Sequence, residues 1–257
     1  MTFRLLTYNI MRGGGGRVEP ISRVIKSCAP DLVLLQEATD PANVERIAAL
    51  TGMGEWRAFR RQSLGVLSVA PLAFAQWVRP RFSRHAFVEL VPSAGEPRLF
   101  GVHLSAVHAA WTEQRRLFEL RALLRSVARH QHGFHVLAGD FNTLAPGEPL
   151  DIAQLPLRLR PFVWATGGRI RWRTVQTVLD FGYVDAYRRL HDGEPGPTVP
   201  AIAPHVRLDY VFLPHAYQDR LLRCDVLNHA DVVAASDHRP VVADLRIGDE
   251  AKGGLTV

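Results

Sequence analysis

Short apolar runs that alternate with stretches of helical spacing limit the possible folds of this chain more than any other feature of its sequence. FRLLTYNI (3–10) and DLVLLQE (31–37) have the length and composition of buried strands, and ISRVIKSCA (21–29) between them has helical spacing. The longest helical pattern covers 110–131, where apolar residues recur three to four positions apart. This alternation predicts a layered α/β fold. Further strands are predicted at 64–72, 74–82, 85–91, 98–106, 133–143, 205–214 and 240–247, and further helices at 41–53 and 174–181.

The length of the chain suits one domain of this class. Layered α/β domains often reach about 250 residues, and this chain has 257 with no internal repeat and no low-complexity linker. We expect residues 1–247 to form a single domain and residues 248–257 to form a flexible tail. The stretch 144–172 is rich in Pro, Gly and Arg, which indicates a long loop.

Composition excludes several classes of protein and leaves others open. The sequence has no apolar stretch long enough to span a membrane, and its N-terminus lacks the apolar run and cleavage site of a signal peptide. We therefore expect a cytoplasmic protein. We also expect a monomer. Cys28 and Cys224 form neither a zinc pattern nor a disulfide framework. The net charge of +6 favours anionic partners such as nucleic acid or phospholipid headgroups, although a GC-rich genome explains an arginine-rich composition equally well.

Polar residues at the ends of the predicted strands are the main evidence for function. In layered α/β proteins, such ends converge on one edge and form sites there. One Asp or Asn at such a place is usually a turn former, but eight polar residues in comparable positions need another explanation. The eight residues are Asn9, Glu37, His103, Asp140, Asn142, Asp209, Asp237 and His238.

These residue types fit together chemically. Carboxylate and amide oxygens without cysteine suit a hard cation such as Mg²⁺ or Mn²⁺. Histidines beside them suit acid–base work or contacts to an oxyanion. A metal that polarises a phosphoryl oxygen and a carboxylate that activates water would together hydrolyse a phosphate ester.

Six segments carry a resemblance to a known family. In order from residue 5 to residue 241 they read LLTYNI, DLVLLQE, GVHLSA, LAGDFNT, RLDYVF and SDHRPV. With them, the chain resembles the endonuclease/exonuclease/phosphatase superfamily, which has the deoxyribonuclease I-like fold. The resemblance covers nearly the whole chain. It implies a four-layer α/β/β/α sandwich with two mixed β-sheets flanked by helices, and the activity of a divalent-metal phosphoesterase.

The resemblance also assigns roles at the metal and the attacking water. Glu37 would be the principal Mg²⁺ ligand, and Asn9 and Asp237 would complete or support the metal site. Asp140 would position or deprotonate the water. Asn142 would hold the phosphate and align Asp140.

Two histidines would act on the phosphate itself. His238 would face the scissile phosphate and be oriented by Asp209, while His103 would stabilise the transition state or the leaving oxygen. Whether Asp140 or His238 takes the proton of the water is left open by the sequence.

The substrate is less constrained. Arg169, Arg171, Arg173 and Trp172 combine cations for phosphates with an aromatic ring for stacking, as single-strand binding surfaces do, although a solvated loop gives the same pattern. We expect an endo- or exonuclease acting on DNA or RNA with Mg²⁺ or Mn²⁺. The alternatives are a phospholipid or inositol-phosphate phosphoesterase of the sphingomyelinase type, and a non-catalytic binding module.

Overall fold

Two six-stranded β-sheets pack face to face at the centre of the protein. The computed structural model describes residues 1–81, 83–106, 110–130, 132–148, 150–154, 157, 160–161 and 172–248. The apolar core between the sheets combines residues of the first sheet, such as Leu5 and Leu34, with residues of the second, such as Leu99 and Val136. Each sheet therefore buries one face against the other.

The first sheet has the strand order β11-β12-β1-β2-β4-β3. Its strands β1 and β2 pair in parallel, and all other neighbours pair antiparallel. The strands are β1 Thr2–Asn9, β2 Leu32–Gln36, β3 Glu55–Arg57, β4 Leu64–Ser68, β11 Leu221–Val226 and β12 Val241–Arg246.

The second sheet has the order β5-β6-β7-β8-β10-β9. Here β7 and β8 are the parallel pair in an otherwise antiparallel sheet. The strands are β5 Leu72–Val78, β6 Phe87–Pro92, β7 Arg98–His103, β8 His135–Asp140, β9 Tyr183–Asp185 and β10 Asp209–Pro214.

Helices cover the outer faces of both sheets. The first sheet carries α1 Val18–Cys28, α2 Pro41–Thr51 and α6 Ala230–Ala235, and the second carries α3 Ala110–Val127 and α4 Arg173–Asp180. A short helix, α5 Ala186–Leu190, follows β9. None of the helices among the described residues has the length and hydropathy needed to cross a membrane. The layer order confirms the α/β/β/α sandwich with two mixed sheets.

The side-chain alternation of a strand explains how each sheet serves two cores. Successive residues of a strand point to opposite faces. In β1, Leu5 joins the core between the sheets, whereas Leu6 and Tyr8 pack beneath the helices. A strand buried on both faces needs apolar residues at almost every position, and FRLLTYNI supplies them.

Several elements differ from the sequence prediction. Strands β3, β9 and β11 and helices α5 and α6 were not predicted. Strand β10 begins at Asp209 rather than at 205, because Val206 forms an isolated bridge with Val199 instead of joining the sheet. The second of the two consecutive predicted strands, 74–82, ends at Val78. Residues 249–257 of the predicted tail lie outside the described residues.

Candidate active site

The ends of six strands meet at one edge of the sandwich. The parallel pairing of β1 with β2 places Asn9 beside Gln36, and the parallel pairing of β7 with β8 places His103 beside Asp140. The antiparallel strand β10 begins at the same edge, where Asp209 is paired with Asp140. Residues 237–238 precede β12, whose first residues pair with β1 near that edge. The topology thus gathers the predicted polar residues.

Asp140 lies at the centre of the site and is almost fully buried. Its Oδ1 accepts a hydrogen bond from the backbone N–H of Asn142 at 2.8 Å, and its Oδ2 accepts one from Asn9 Nδ2 at 3.0 Å. The side chain of Asn142 donates to the carbonyl of Leu104 at 2.9 Å. Asn142 therefore ties the carboxylate to the segment after β7.

Burial, and after it the charge of Asp209, raise the pKa of Asp140 to about 7. The carboxylate is consequently poised to gain or release a proton near neutral pH, as a general base must be.

Glu37 follows β2 directly and is connected to Asp140 through Asn9. Asn9 Nδ2 lies 3.4 Å from Glu37 Oε1 while it donates to Asp140. The backbone N–H of Arg12 donates to Glu37 Oε2 at 2.6 Å, and that of Gly13 donates to the Glu37 carbonyl at 2.8 Å. The two carboxylates thus share one amide group, although Asn9 belongs to the first sheet and Asp140 to the second.

His238 is paired with Asp209. Its Nδ1 lies 2.9 Å from Asp209 Oδ2, and its Nε2 lies 4.0 Å from Asp140 Oδ2. Burial alone would lower the pKa of His238, but Asp209, with smaller contributions from Asp140 and Asp237, raises it to about 10. The ring is therefore protonated at neutral pH, and Asp209 fixes its orientation.

His103 also faces Asp140. Its Nε2 lies 3.9 Å from the same Asp140 Oδ2, and its ring stacks on His85 with centroids 4.7 Å apart. Burial, and after it His85, lower the pKa of His103 to about 3, so the ring is neutral. Its buried Nδ1 has no hydrogen-bond partner within the described part of the chain. The site thus presents one charged and one neutral imidazole to a single carboxylate oxygen.

Asp237 is exposed at the same edge. The hydroxyl of Ser236 donates to the carbonyl of Asn9 at 2.6 Å and lies 3.4 Å from Asp237 Oδ1. It also accepts the backbone N–H of His238 at 3.2 Å. Ser236 therefore holds this turn against the end of β1. Ser236 was not among the predicted site residues, although it opens the segment SDHRPV.

The eight residues predicted at strand ends are thus brought together, but the four residues of the arginine-rich stretch are not all placed. Trp172 and Arg173 are exposed at the start of α4. Arg169 and Arg171 lie outside the described residues.

A buried carboxylate behind the site was missed by the sequence analysis. Glu119 of α3 accepts hydrogen bonds from the backbone N–H and the hydroxyl of Ser105, both at 3.0 Å. It also accepts bonds from the hydroxyl of Ser83 at 3.2 Å and the backbone N–H of Arg84 at 3.3 Å. These two segments carry His103 and His85, so Glu119 holds the backbone on both sides of the stacked pair. The sequence signal was an acid within an apolar helical stripe.

The same helix extends this network to α4. Arg116 donates to the carbonyl of Ser105 at 3.0 Å and pairs with Glu113 at 2.9 Å. Glu113 in turn accepts the backbone N–H of Thr174 at 2.9 Å. The start of α4, where Trp172 and Arg173 lie, is therefore fixed relative to the segment after β7.

Comparison with known proteins agrees with this geometry. The model of the endonuclease/exonuclease/phosphatase family matches residues 6–238. No curated protein matched the sequence.

Solved structures share the fold at low sequence identity. A 3′ phosphatase, NExo, from Neisseria bound to a product DNA hairpin is 21% identical with a TM-score of 0.71, covering 95% of this chain and 100% of its own. An AP endonuclease from Archaeoglobus fulgidus is 18% identical with a TM-score of 0.69, over 95% and 100% of the two chains. D. rerio TDP2 complexed with a single-strand DNA product is 16% identical with a TM-score of 0.67, over 96% and 99%. Because the family model spans nearly the whole chain, from β1 to His238, this protein is a phosphoester hydrolase that belongs to the endonuclease/exonuclease/phosphatase family.

Proposed function

We propose that the protein is a Mg²⁺-dependent phosphodiesterase that cleaves nucleic acid. The observation that carries this proposal is the position of Asp140, whose Oδ2 lies 3.9 Å from His103 Nε2 and 4.0 Å from His238 Nε2. Asn9 links the same carboxylate to Glu37. A tetrahedral phosphate between two imidazoles, with a water held by a carboxylate and a cation beside it, needs this combination of groups.

The donor atoms of the site suit a hard cation. Glu37, Asn9 and Asp237 offer oxygens, and no cysteine lies among them, which favours Mg²⁺ or Mn²⁺ over zinc. Asn9 Nδ2 lies 3.4 Å from Glu37 Oε1 and 3.0 Å from Asp140 Oδ2, so these two carboxylates are held on one amide group. Carboxylates held this close repel each other, and a divalent cation would offset that repulsion.

The proposed metal would be held by Glu37, supported by Asn9 and Asp237. When bound, it would polarise a phosphoryl oxygen as a Lewis acid. The protein would keep the two carboxylates in place. The backbone N–H of Arg12 holds Glu37, and the backbone N–H of Asn142 holds Asp140.

Asp140 would accept the proton of the attacking water. It is fixed through both oxygens by Asn142 and Asn9, so it cannot rotate away from the water. His238 is already protonated through its pair with Asp209, which suits it to donate to a phosphate oxygen rather than to act as the base. His103 is neutral and would donate to the phosphate or to the leaving oxygen.

Nucleic acid is the substrate class favoured by the charge of the chain and by its neighbours. The net charge is +6, and a positive surface raises the local concentration of polyanions. Two of the similar structures, at 21% and 16% identity, are described as bound to a DNA hairpin and to a single-strand DNA product. Both observations support a polynucleotide over a small phosphate ester.

A substrate panel tests the proposal. Purified protein is incubated with end-labelled single- and double-stranded DNA and RNA, in Mg²⁺ and in EDTA, beside sphingomyelin and an inositol phosphate. We expect cleavage of a polynucleotide that EDTA abolishes. Release of phosphate or headgroup with intact nucleic acid would reassign the substrate, and cleavage that persists in EDTA would remove the metal from the proposal.

A further inference from the structure

The solvent-facing side of α3 is strongly cationic. Both acids of this helix are buried, with 1% of Glu113 and 4% of Glu119 exposed. Arg115, Arg121 and Arg125 are exposed. The face that α3 presents to solvent therefore carries positive charge without an acidic residue of the same helix to neutralise it.

A groove with an apolar floor lies along this face, between α3 and the edge of the second sheet. Its volume is about 540 Å³. Phe118 is 41% exposed although it is a large apolar side chain, and an aromatic ring beside cations is the combination that single-strand binding surfaces use. The groove is lined by Val78, Pro80, Arg81, Phe87, Phe118, Ala122, Arg125, Ser126 and Arg129.

The groove lies next to the active site. Pro80 and Phe87 line the groove and also line the small cavity that is closed by His85 and His103. From there the groove follows α3, and Phe118 and Arg125 lie on the same face, about 11 Å apart at 1.5 Å per residue. That distance is enough for the ring and the cation to contact different nucleotides of one strand.

We propose that this groove binds a single-stranded segment of the substrate beyond the reacting phosphate. Exposed aromatic rings stack bases of any sequence, and neighbouring arginines hold the phosphates; Phe118 and Arg125 supply both. Arg125 forms no ion pair with any described residue, and Arg129 is held in place by its bond to Ser126 Oγ at 2.7 Å. An acidic peptide would satisfy the cations but would leave the aromatic ring without a partner.

This inference rests on the proposed nuclease function, and the test separates the two. Phe118→Ala and Arg125→Ala are compared with Arg46→Ala, an exposed arginine of α2 on the opposite side of the sandwich whose pair with Glu19 is exposed and contributes little. For each protein, kcat/KM is measured in Mg²⁺ on oligothymidylates of three and twelve nucleotides. Binding of the labelled twelve-nucleotide strand is measured by anisotropy in EDTA.

We expect Phe118→Ala to lower the ratio of kcat/KM for the long strand over the short one by roughly 5- to 100-fold, the range for losing one stacked base. Arg125→Ala should weaken binding of the long strand and reduce the slope of log K against log salt by about 0.7. Arg46→Ala should keep the wild-type ratio. Circular dichroism checks that each variant folds.

The remaining outcomes are each decisive. If wild type cleaves both strands and all three variants share its ratio, the groove does not bind substrate and the nuclease function stands. If wild type cleaves neither strand but Phe118→Ala and Arg125→Ala lose binding, the nuclease function fails and the groove remains a nucleic-acid site. Loss of binding to vesicles containing 30% phosphatidylserine, with oligonucleotide binding retained, would assign the groove to a membrane surface and overturn the proposal.

Discussion

Two residues of the site adopt backbone conformations that side chains other than glycine rarely take. Glu37 has φ 55° and Asn142 has φ 52°. Asn tolerates the left-handed region, whereas for Glu it is costly. The two N–H donors around Glu37, from Arg12 to its carboxylate and from Gly13 to its carbonyl, compensate for this cost. Strain of this kind persists where the surroundings hold a functional group in place.

At the scale of single residues, the sequence predicts which residues form the site better than it predicts how their side chains are arranged. The positions of Asp140 and Asn142 after the run VLAG marked them as polar residues of a strand end. The stacking of His85 on His103 was not predictable, because the two residues are eighteen positions apart and His85 lies before β6, which must first pair with β7.

His238 provides the sharpest test of a single residue. His238→Ala should lower kcat by roughly two to four powers of ten, the range for losing a positioned acid or base, because the imidazole that faces Asp140 is removed. His215→Ala is the control, since this histidine is exposed in the turn after β10. Labelled-oligonucleotide cleavage measures the effect, and a variant with wild-type kcat would mean that His238 does not act on the phosphate.

His85 gives a prediction for stability. Burial, and after it Arg84, Arg79 and Arg115, lower the pKa of His85 from 6.5 to about 4. Between pH 6.5 and 4 the unfolded chain binds a proton that the folded chain refuses, so the free energy of unfolding decreases as the pH falls through this window.

His85→Phe keeps an aromatic ring and removes the proton. The variant should therefore lose less stability than wild type between pH 7.5 and 4.5, by about 1–2 kcal/mol after allowance for partial exposure. Urea denaturation at several pH values measures this difference, with His215→Phe, on an exposed side chain, as the control. Equal pH slopes for His85→Phe and wild type would contradict the prediction.

Among the elements, α3 has two functions that its sequence pattern only half reveals. The spacing of its leucines predicted the helix, and its apolar residues pack on the second sheet. Its buried polar stripe, Glu113, Arg116 and Glu119, recurs every three residues and connects the segments around β7 with α4. Buried charges of this kind are costly unless they are paired. Their spacing on a buried face therefore predicts that they have partners, but not which residues those partners are.

Three of the edge strands, β3, β9 and β11, were missed by sequence reasoning. Only two of the six residues of β11 are buried, and Leu222 and Arg223 are exposed, because this strand pairs with β12 alone. Strands β3 and β9 have three residues each. Neither a half-exposed strand nor a three-residue strand produces a periodic apolar signal.

Glu119 should affect catalysis through position. Glu119→Gln replaces an acceptor of four hydrogen bonds by a group that also donates, so one or more N–H or O–H groups lose their partner, at about 1–3 kcal/mol of stability. If His103 shifts with Ser105, kcat should fall roughly 10- to 100-fold, whereas KM should change less.

The matched control is Glu45→Gln on the exposed face of α2. Steady-state kinetics are measured below the melting temperature of each variant. A Glu119→Gln protein that is less stable but keeps its wild-type kcat would show that Glu119 has a structural role and does not position His103.

The whole molecule depends on contacts that no local pattern contains. Arg207 is buried and pairs with Asp185, 22 residues earlier, and with Glu148, 59 residues earlier. These pairs fix the start of β10, and with it Asp209, against β9 and the segment after β8. The layer order and the convergence of strand ends were predictable from the motifs; the partners that hold those ends in register were not, because they depend on the completed topology.

Because Asn9 and Glu37 come from the first sheet and Asp140 and Asp209 from the second, binding of a cation at their junction should stabilise the entire sandwich. A ligand that binds only the folded state at about 100 times its Kd adds about 2.7 kcal/mol to the free energy of unfolding. The melting temperature of wild type should therefore rise with Mg²⁺ relative to EDTA.

Glu37→Gln should lose most of this rise and shift the Mg²⁺ dependence of cleavage to higher concentration. Glu45→Gln should keep the wild-type rise in melting temperature and the wild-type Mg²⁺ dependence. A Glu37→Gln protein with the wild-type Mg²⁺ response would place the cation elsewhere, because the carboxylate that faces the junction would then contribute nothing to its binding.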